Sequence, residues 1–304
     1  IFCLTATLSF MKWGSLNVLI TNPRDLPDLV KELGRWPWTI MTGVNTLFNG
    51  LLNTPGFERL DFSSLKAVIG GGAAVQKTVA ERWQQVTGCS ITEGYGLTEA
   101  SPVACANPIG TPWNGTIGIP YPSTELTIRD AVFAELPPWT GAGDIEKFTG
   151  EICVRGPQVM KGYWNSPAET AKVMQDGWLR TGDIGHMDGN GWFTITDRKK
   201  DMILVGGFNV YPRDVEDTLF QHPKVAIVAV VGVPDPKSGE AVKAFIQLKP
   251  GETATVEEIQ EFCKENMTGY KRPRYIEFRD ALPVSNVGKV LRRVLRDEAR
   301  AKKA

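Results

Sequence analysis

The 304-residue chain has no surplus of charge in either direction: 34 lysines and arginines stand against 34 aspartates and glutamates. Proteins that grip nucleic acid generally carry a clear basic excess to meet backbone phosphates, so the balance argues against that class of partner. There is no C-x-x-C pair, and the five cysteines (Cys3, Cys89, Cys105, Cys153, Cys263) are odd in number and widely spaced. That spacing argues against a disulfide framework or a zinc site and fits buried thiols in a reducing compartment. No apolar run is long enough to cross a bilayer. The opening stretch "IFCLTATLSFM" lacks a starting Met and a basic leader and is interrupted at Lys12, which reads as a buried helix. An apolar run needs partner surface to cover it, so a chain that starts on one is expected to be a piece of a longer protein.

The apolar and charged fractions, 42% and 22%, are those of a globular chain of about two domains, and no internal repeat or low-complexity tract occurs. In "LKAVIGGGAAVQKTVAERWQQVTG" a short apolar strand runs into three glycines. The helix predicted next carries Val75, Val79, Trp83 and Val86 on one face and Gly88 as its C-cap, which makes a βα unit of a largely parallel sheet. From residue 112 to about 195 the chain turns rich in Gly, Pro, Trp and short β-prone runs such as "GEICVRG" and "GWFTI", the pattern of a small antiparallel barrel or distorted sheet. After "TDRKKD", apolar runs alternate with helical stretches at 213–221, 255–266 and 289–301, the middle one opening on a Thr255/Glu258 capping-box spacing. The expected divisions are therefore 1–111 (α/β), 112–199 (β-rich) and 200–304 (a separate α/β domain). Acidic Asp297 and Glu298 interrupt the basic last helix (Arg292, Arg293, Arg296, Arg300, Lys302, Lys303), so it reads as a solvated face.

Five segments bear chemistry. "GGGAA" (70–74) invites a dinucleotide reading, but Val75 stands where that fingerprint needs a small residue. A tight strand-to-helix turn and a close approach of backbone to a flat ligand both remain open. "EGYGLTE" (93–99) sets Tyr95 between two glycines and follows it with the Thr98 hydroxyl and the Glu99 carboxylate. That pair suits Mg²⁺-phosphate, and equally the capped start of a helix. In "WLRTGDIG", Asp183 can accept two hydrogen bonds from a ribose diol or be a turn aspartate. "DRKKDMILVGGFNVYP" holds a charged cluster (Asp197, Arg198, Lys199, Lys200, Asp201) that fits a solvated linker, then Gly206 and Gly207, which let backbone approach a narrow ligand such as a pantetheine arm. "PVSNVGKVLRR" contains a Gly-Lys pair, but Pro283 occupies the position where a phosphate loop needs another glycine.

Together and in this order these segments resemble the adenylate-forming superfamily of acyl-CoA synthetases, luciferases and peptide-synthetase adenylation domains. Within it, "DRKKDMILVGGFNVYP", "MTGYKRPRYIEFRDALPVSNVGKVLRRVLRDEAR" and "NPRDLPDLVKELGRWPWTIMTGVNTLFNGLLN" are similar to bacterial long-chain fatty-acid-CoA ligases, and the likeness covers essentially the whole chain. The resemblance implies an α/β and α+β architecture: the C-terminal part of the large adenylate-forming domain, including a small β-barrel-like subdomain, followed by a small mobile α/β lid. It also implies activation of a fatty acid by ATP to acyl-AMP, with transfer to coenzyme A and no covalent enzyme intermediate. Other carboxylic acids (aryl, short-chain or carrier-loading) are the alternative substrates, and a non-catalytic nucleotide- or CoA-binding module is the alternative role.

By the same resemblance, Gly71, Gly72 and Ala73 line the adenine and acyl region. Glu93, Gly94, Tyr95 and Gly96 frame adenine, Thr98 touches phosphate and Glu99 holds Mg²⁺. Asp183 binds the ribose hydroxyls and Arg198 fixes ribose and phosphate. Lys289 meets the α-phosphate and attacking carboxylate, Lys200 is the hinge, and Gly207 lines the pantetheine channel after the lid rotates. Leu204 stands where some relatives carry lysine and is given no nucleotide role. A cytoplasmic setting is implied, and both peripheral contact with the inner membrane face and a homodimer are compatible with it. The family's Ser/Thr/Gly-rich phosphate loop has no counterpart in this sequence, so these 304 residues alone are expected not to form acyl-adenylate at a useful rate.

Overall fold

A computed structural model describes residues 2–285 and 290–301. It divides into two compact units, one of residues 1–181 with 185–195, the other of residues 182–184 with 196–304. The first begins with α1 (Phe2–Lys12) and α2 (Leu26–Leu33), then β1 (Ile40–Gly43), α3 (Asn45–Leu52), β2 (Ala67–Gly70), α4 (Lys77–Thr87), β3 (Ile91–Gly96), β4 (Val103–Ala106) and β5 (Ile119–Pro120). These strands lie in the order β1-β2-β3-β4-β5, with β1, β2 and β3 parallel and β4 and β5 antiparallel. The opening apolar run is a helix as expected, but not a buried one, since Leu8 and Met11 are more than half exposed.

The periodicity of α4 explains its placement. Val79, Ala80, Trp83 and Thr87 fall on one face and are buried, and the helix ends on left-handed Gly88. Trp83 is fully enclosed, its ring centroid 5.0 Å from that of Phe48 and 5.2 Å from that of Phe57. Burying side chains of this size stabilises by roughly 2–3 kcal/mol each.

The β-rich region comprises β6 (Glu125–Arg129), β7 (Gly150–Arg155), α5 (Pro167–Val173), β8 (Met174–Gln175), β9 (Trp178–Met187) and β10 (Phe193–Arg198). The order β10-β9-β7-β6, with β8 on β9, is an open sheet, so among the described residues the distorted sheet replaces the barrel. Residues on both sides of the composition change at 112 share one core: Tyr95, Ala104 and Cys105 pack with Ile117, Leu126, Ile128, Ile152, Val154 and Phe193.

The second unit contains β11 (Ile203–Val205), β12 (Phe208–Val210), α6 (Pro212–Phe220), β13 (Val225–Asp235), β14 (Gly239–Leu248), α7 (Val256–Asn266), β15 (Tyr275–Phe278) and α8 (Arg292–Ala301). The long β13–β14 hairpin is its spine, paired with β11 and with parallel β15. One face buries Val215, Leu219, Ile259 and Cys263 from α6 and α7; the other buries Leu295 and Ala299 from α8. Strands covered on both faces need continuous apolar sequence, which "VAIVAVVGV" supplies. Thr255 caps α7 by accepting from the Glu258 N–H at 3.2 Å. Among the described residues no helix is long and apolar enough to cross a membrane. Burial pushes the Cys105 thiol far up and Cys263 to about 11, so neither offers thiolate at neutral pH.

Candidate active site

The parallel strands of the first sheet end at Gly43, Gly70 and the 93–96 stretch, in mutual register. The carboxyl edge of such a sheet is where open α/β folds hold ligands, because loops leave the strands there. "GGGAA" and "EGYGLTE" meet at this edge. Buried Glu93 accepts a hydrogen bond from the Val75 N–H at 3.1 Å through Oε1, pinning the turn that follows β2. The Gly71 N–H donates to the Gly43 carbonyl at 3.1 Å, and Trp113 donates through Nε1 to the Val75 carbonyl at 3.0 Å. Gly72 has φ +74, a conformation that a side chain would strain, and it is exposed, as Ala73 partly is.

Gly94, Tyr95 and Gly96 form the end of β3, paired with Ala106, Cys105 and Val103. Tyr95 is 9% exposed and its ring belongs to the core, so only its rim faces outward. Thr98 and Glu99 lie in a 3₁₀ turn, Thr98–Ala100, rather than at the start of an α-helix. Thr98 is exposed. Glu99 is half-buried, and its Oε1 accepts from the Tyr163 hydroxyl at 2.7 Å.

Asp183, Arg198, Lys200 and Gly207 belong to the second unit. Asp183 sits within a strand, not a turn; it is 6% exposed, and Arg198 Nε lies 3.3 Å from its Oδ1. Lys199 donates its N–H to the Gly182 carbonyl at 2.9 Å, which holds that pairing in register. Lys200 is exposed. Gly206 and Gly207 form a two-residue turn between Val205 and Phe208 with φ +58 and +90, the paired left-handed conformation of a tight hairpin. Lys289, assigned to the α-phosphate, lies outside the described residues.

The charged run at 197–201 is solvated only in part: Lys199 and Lys200 are exposed, while Asp197 and Asp201 face inward. Asp197 is 3% exposed and accepts from the N–H groups of Arg198 (2.6 Å) and Arg213 (2.8 Å). Arg292 donates through Nε to Glu216 at 2.9 Å and through Nη2 to the other Glu216 oxygen, with Asp197 and Asp201 each 3.9 Å from its Nη1. Arg296 pairs with Asp201 and reaches the Lys200 carbonyl. Two of the four described basic residues of α8, Arg292 and Arg296, are thus turned inward, while Arg293 stays 92% exposed. Burial raises the Glu216 carboxyl against the pull of Arg292. Burial also opposes the Arg292 charge, but attraction and hydrogen bonding to Glu216, with help from Asp197 and Asp201, outweigh it and hold the guanidinium above its ordinary value. Sequence reading missed this cluster, whose partners lie 76 and 95 residues apart.

A largely parallel strand edge, followed along the chain by a compact C-terminal α/β unit, is the arrangement shared with adenylate-forming enzymes. The chain belongs to the AMP-binding enzyme family: residues 1–164 match that family, and residues 214–289 match the AMP-binding enzyme C-terminal domain. It is 54% identical to the long-chain-fatty-acid–CoA ligase of Escherichia coli O6:H1, over 99% of this chain and 53% of that protein. The chain thus spans about half the length of the curated relatives it matches. Among solved structures, the anthranilate CoA ligase AuaEII in complex with anthranoyl-AMP superposes with a TM-score of 0.85 at 31% identity, covering 94% of this chain and 55% of that one. ATP-bound MatB from Rhodopseudomonas palustris gives 0.82 at 31%, covering 92% and 54%.

Proposed function

We propose that a polypeptide carrying these residues activates a long- or medium-chain fatty acid with ATP to acyl-AMP and passes the acyl group to coenzyme A. The observation that carries this reading is the meeting of segments 71–75 and 93–99 at the carboxyl edge of the parallel strands, with a hydroxyl and a carboxylate directly after. The identity to ligases named for long-chain fatty acids supports the choice of acid. Adenine rests against the backbone of Gly71, Gly72 and Ala73 and the Glu93–Gly96 strand end, where glycines permit close approach. Thr98 donates to phosphate. Asp183 accepts from the ribose diol, and Arg198, already beside it, adds positive charge next to ribose and phosphate.

Among the described residues no cluster of three metal-ligating side chains exists. One carboxylate and one hydroxyl fit Mg²⁺ that arrives with ATP and keeps its waters and phosphate oxygens, rather than a resident ion. Glu99 and Thr98 would hold it, and when bound it supplies charge neutralisation at the phosphates. Lys289 offsets the negative charge gathering where the carboxylate attacks the α-phosphate, and then withdraws as the second unit turns about Lys200 and brings Gly207 to the pantetheine arm. The last of the three boundaries between the compact units falls at 195/196, a few residues before exposed Lys200, which fits a hinge there. The setting proposed is the cytoplasm, with the acyl substrate met at the inner membrane face.

Thioester formation with free CoA, measured across long-chain, short-chain and aryl acids, tests the substrate. Turnover confined to aryl or short acids removes the fatty-acid reading. Lys289→Ala is expected to slow adenylation by about a hundredfold or more, the scale on which a lost charge-stabilising donor acts. Thioester formation from supplied acyl-AMP should change far less, and equal losses in both half-reactions would contradict the role given to this lysine.

A further inference from the structure

The carboxylate of Glu99 is gripped by a loop from far along the chain. The Tyr163 hydroxyl donates to Glu99 Oε1 at 2.7 Å across 64 residues, and the Met160 N–H donates to the Glu99 carbonyl at 2.8 Å. The loop itself is fastened to α5. The Tyr163 N–H donates to Thr170 Oγ1 at 2.9 Å, and that hydroxyl donates to the Ser166 carbonyl at 3.0 Å. Gly162, at φ +152, packs so close to Thr170 that an added Cβ would lie 2.8 Å from its Cγ2. Backbone, side chain and helix thus fix the phenol over one oxygen of Glu99, and no second hydrogen bond to this carboxylate occurs among the described residues.

We propose that Tyr163 is a positioning residue for the Mg²⁺-nucleotide, holding the Glu99 carboxylate in one rotamer so that its remaining lone pairs are presented to the ion or its water shell. The inference rests on the reading of Glu99 given above. A free glutamate side chain must be ordered when it meets the ion, and a pre-formed hydrogen bond removes part of that entropy cost. The bond also fixes which partner is the donor. A phenol beside a carboxylate stays protonated, and Tyr163 is accordingly held above the ordinary tyrosine value, first by its hydrogen bond to Glu99 and then by burial.

The test is ATP binding by calorimetry at graded Mg²⁺ and in chelator, with Tyr163→Phe, Glu99→Gln and the unaltered protein. Phenylalanine keeps the ring and removes only the hydroxyl. It is expected to raise the Mg²⁺ concentration for half-maximal ATP binding by roughly tenfold, the net worth of one hydrogen bond to a charged group. Binding in chelator should be unchanged, which a merely structural lesion would not spare. Trp164→Ala, at the neighbouring 90% exposed side chain, should behave as the unaltered protein. A Mg²⁺ response in Y163F equal to that of the unaltered protein, while E99Q shifts it, overturns the role of Tyr163 alone. An unshifted response in E99Q overturns the reading of Glu99 and this inference with it.

Discussion

Arg292→Ala is expected to destabilise the second unit by about 3–5 kcal/mol, the cost of leaving a buried carboxylate without its partner. Glu216 is 9% exposed and spends its oxygens on Arg292 and on the Val230 N–H at 2.8 Å, so little water can reach it in place of the arginine. Asp197 loses the same cation. Arg292→Met, which restores apolar packing but not charge, should do little better while the acids stay ionised. The pH dependence has a definite sign. Burial raises the folded-state pKa of both acids, Glu216 from an ordinary 4.5, and without Arg292 nothing of equal strength opposes it. A raised folded pKa means that the native state holds more protons than the unfolded chain, so the native state gains as pH falls. The deficit is therefore complete above the raised values and narrows as the pH is brought toward 4.5. All nine tryptophans lie at or before Trp192, in the first unit. Loss of far-ultraviolet ellipticity ahead of any change in tryptophan emission would locate the damage; simultaneous loss of both signals, or a deficit independent of pH, would refute this account.

Gly96→Ala should act on the other unit, and through sterics alone. A Cβ there would lie 1.7 Å from the Pro102 carbonyl oxygen, 2.6 Å from its carbon and 2.8 Å from the Val103 Cα. All three are backbone atoms at the start of the paired strand and just before it, and no side chain can rotate away to relieve the contact. The strands must part, at about 3 kcal/mol or more. A melting temperature lowered by roughly 6–12 °C, read in tryptophan emission, follows for a unit of this size. Thr98 and Glu99 leave the strand two and three residues later, so nucleotide affinity should fall along with stability. Native stability in G96A would show that the strand pair at residues 96–103 is looser in solution.

These two sites also show what sequence could reveal. The βα unit was legible because α4 repeats its apolar positions at helical spacing and ends on Gly88, both local signals. The 3₁₀ turn at Thr98 was not, because a hydroxyl followed by a carboxylate serves a helix start and a phosphate contact equally well. The inward-facing arginines were missed for a different reason. Composition sees a basic helix with two acids, whereas the charges that answer Arg292 and Arg296 come from Asp197, Asp201 and Glu216, on other elements. Tyr163 gave no signal at all, since an aromatic after a glycine is ordinary until the fold carries it to Glu99.

The Gly206–Gly207 turn has a consequence for selectivity. Neither residue has a neighbour within 4 Å of where a Cβ would be, so the glycines are there for their dihedrals and not because the chain crowds them. The tip is chemically blank: it presents amide edges and open space, flanked by the half-exposed Phe208, whose ring stacks on Tyr270 at 4.7 Å. On the role proposed for Gly207, an arm drawn along this tip would be sorted by its girth and flexibility, and functional groups along its length would go largely unread.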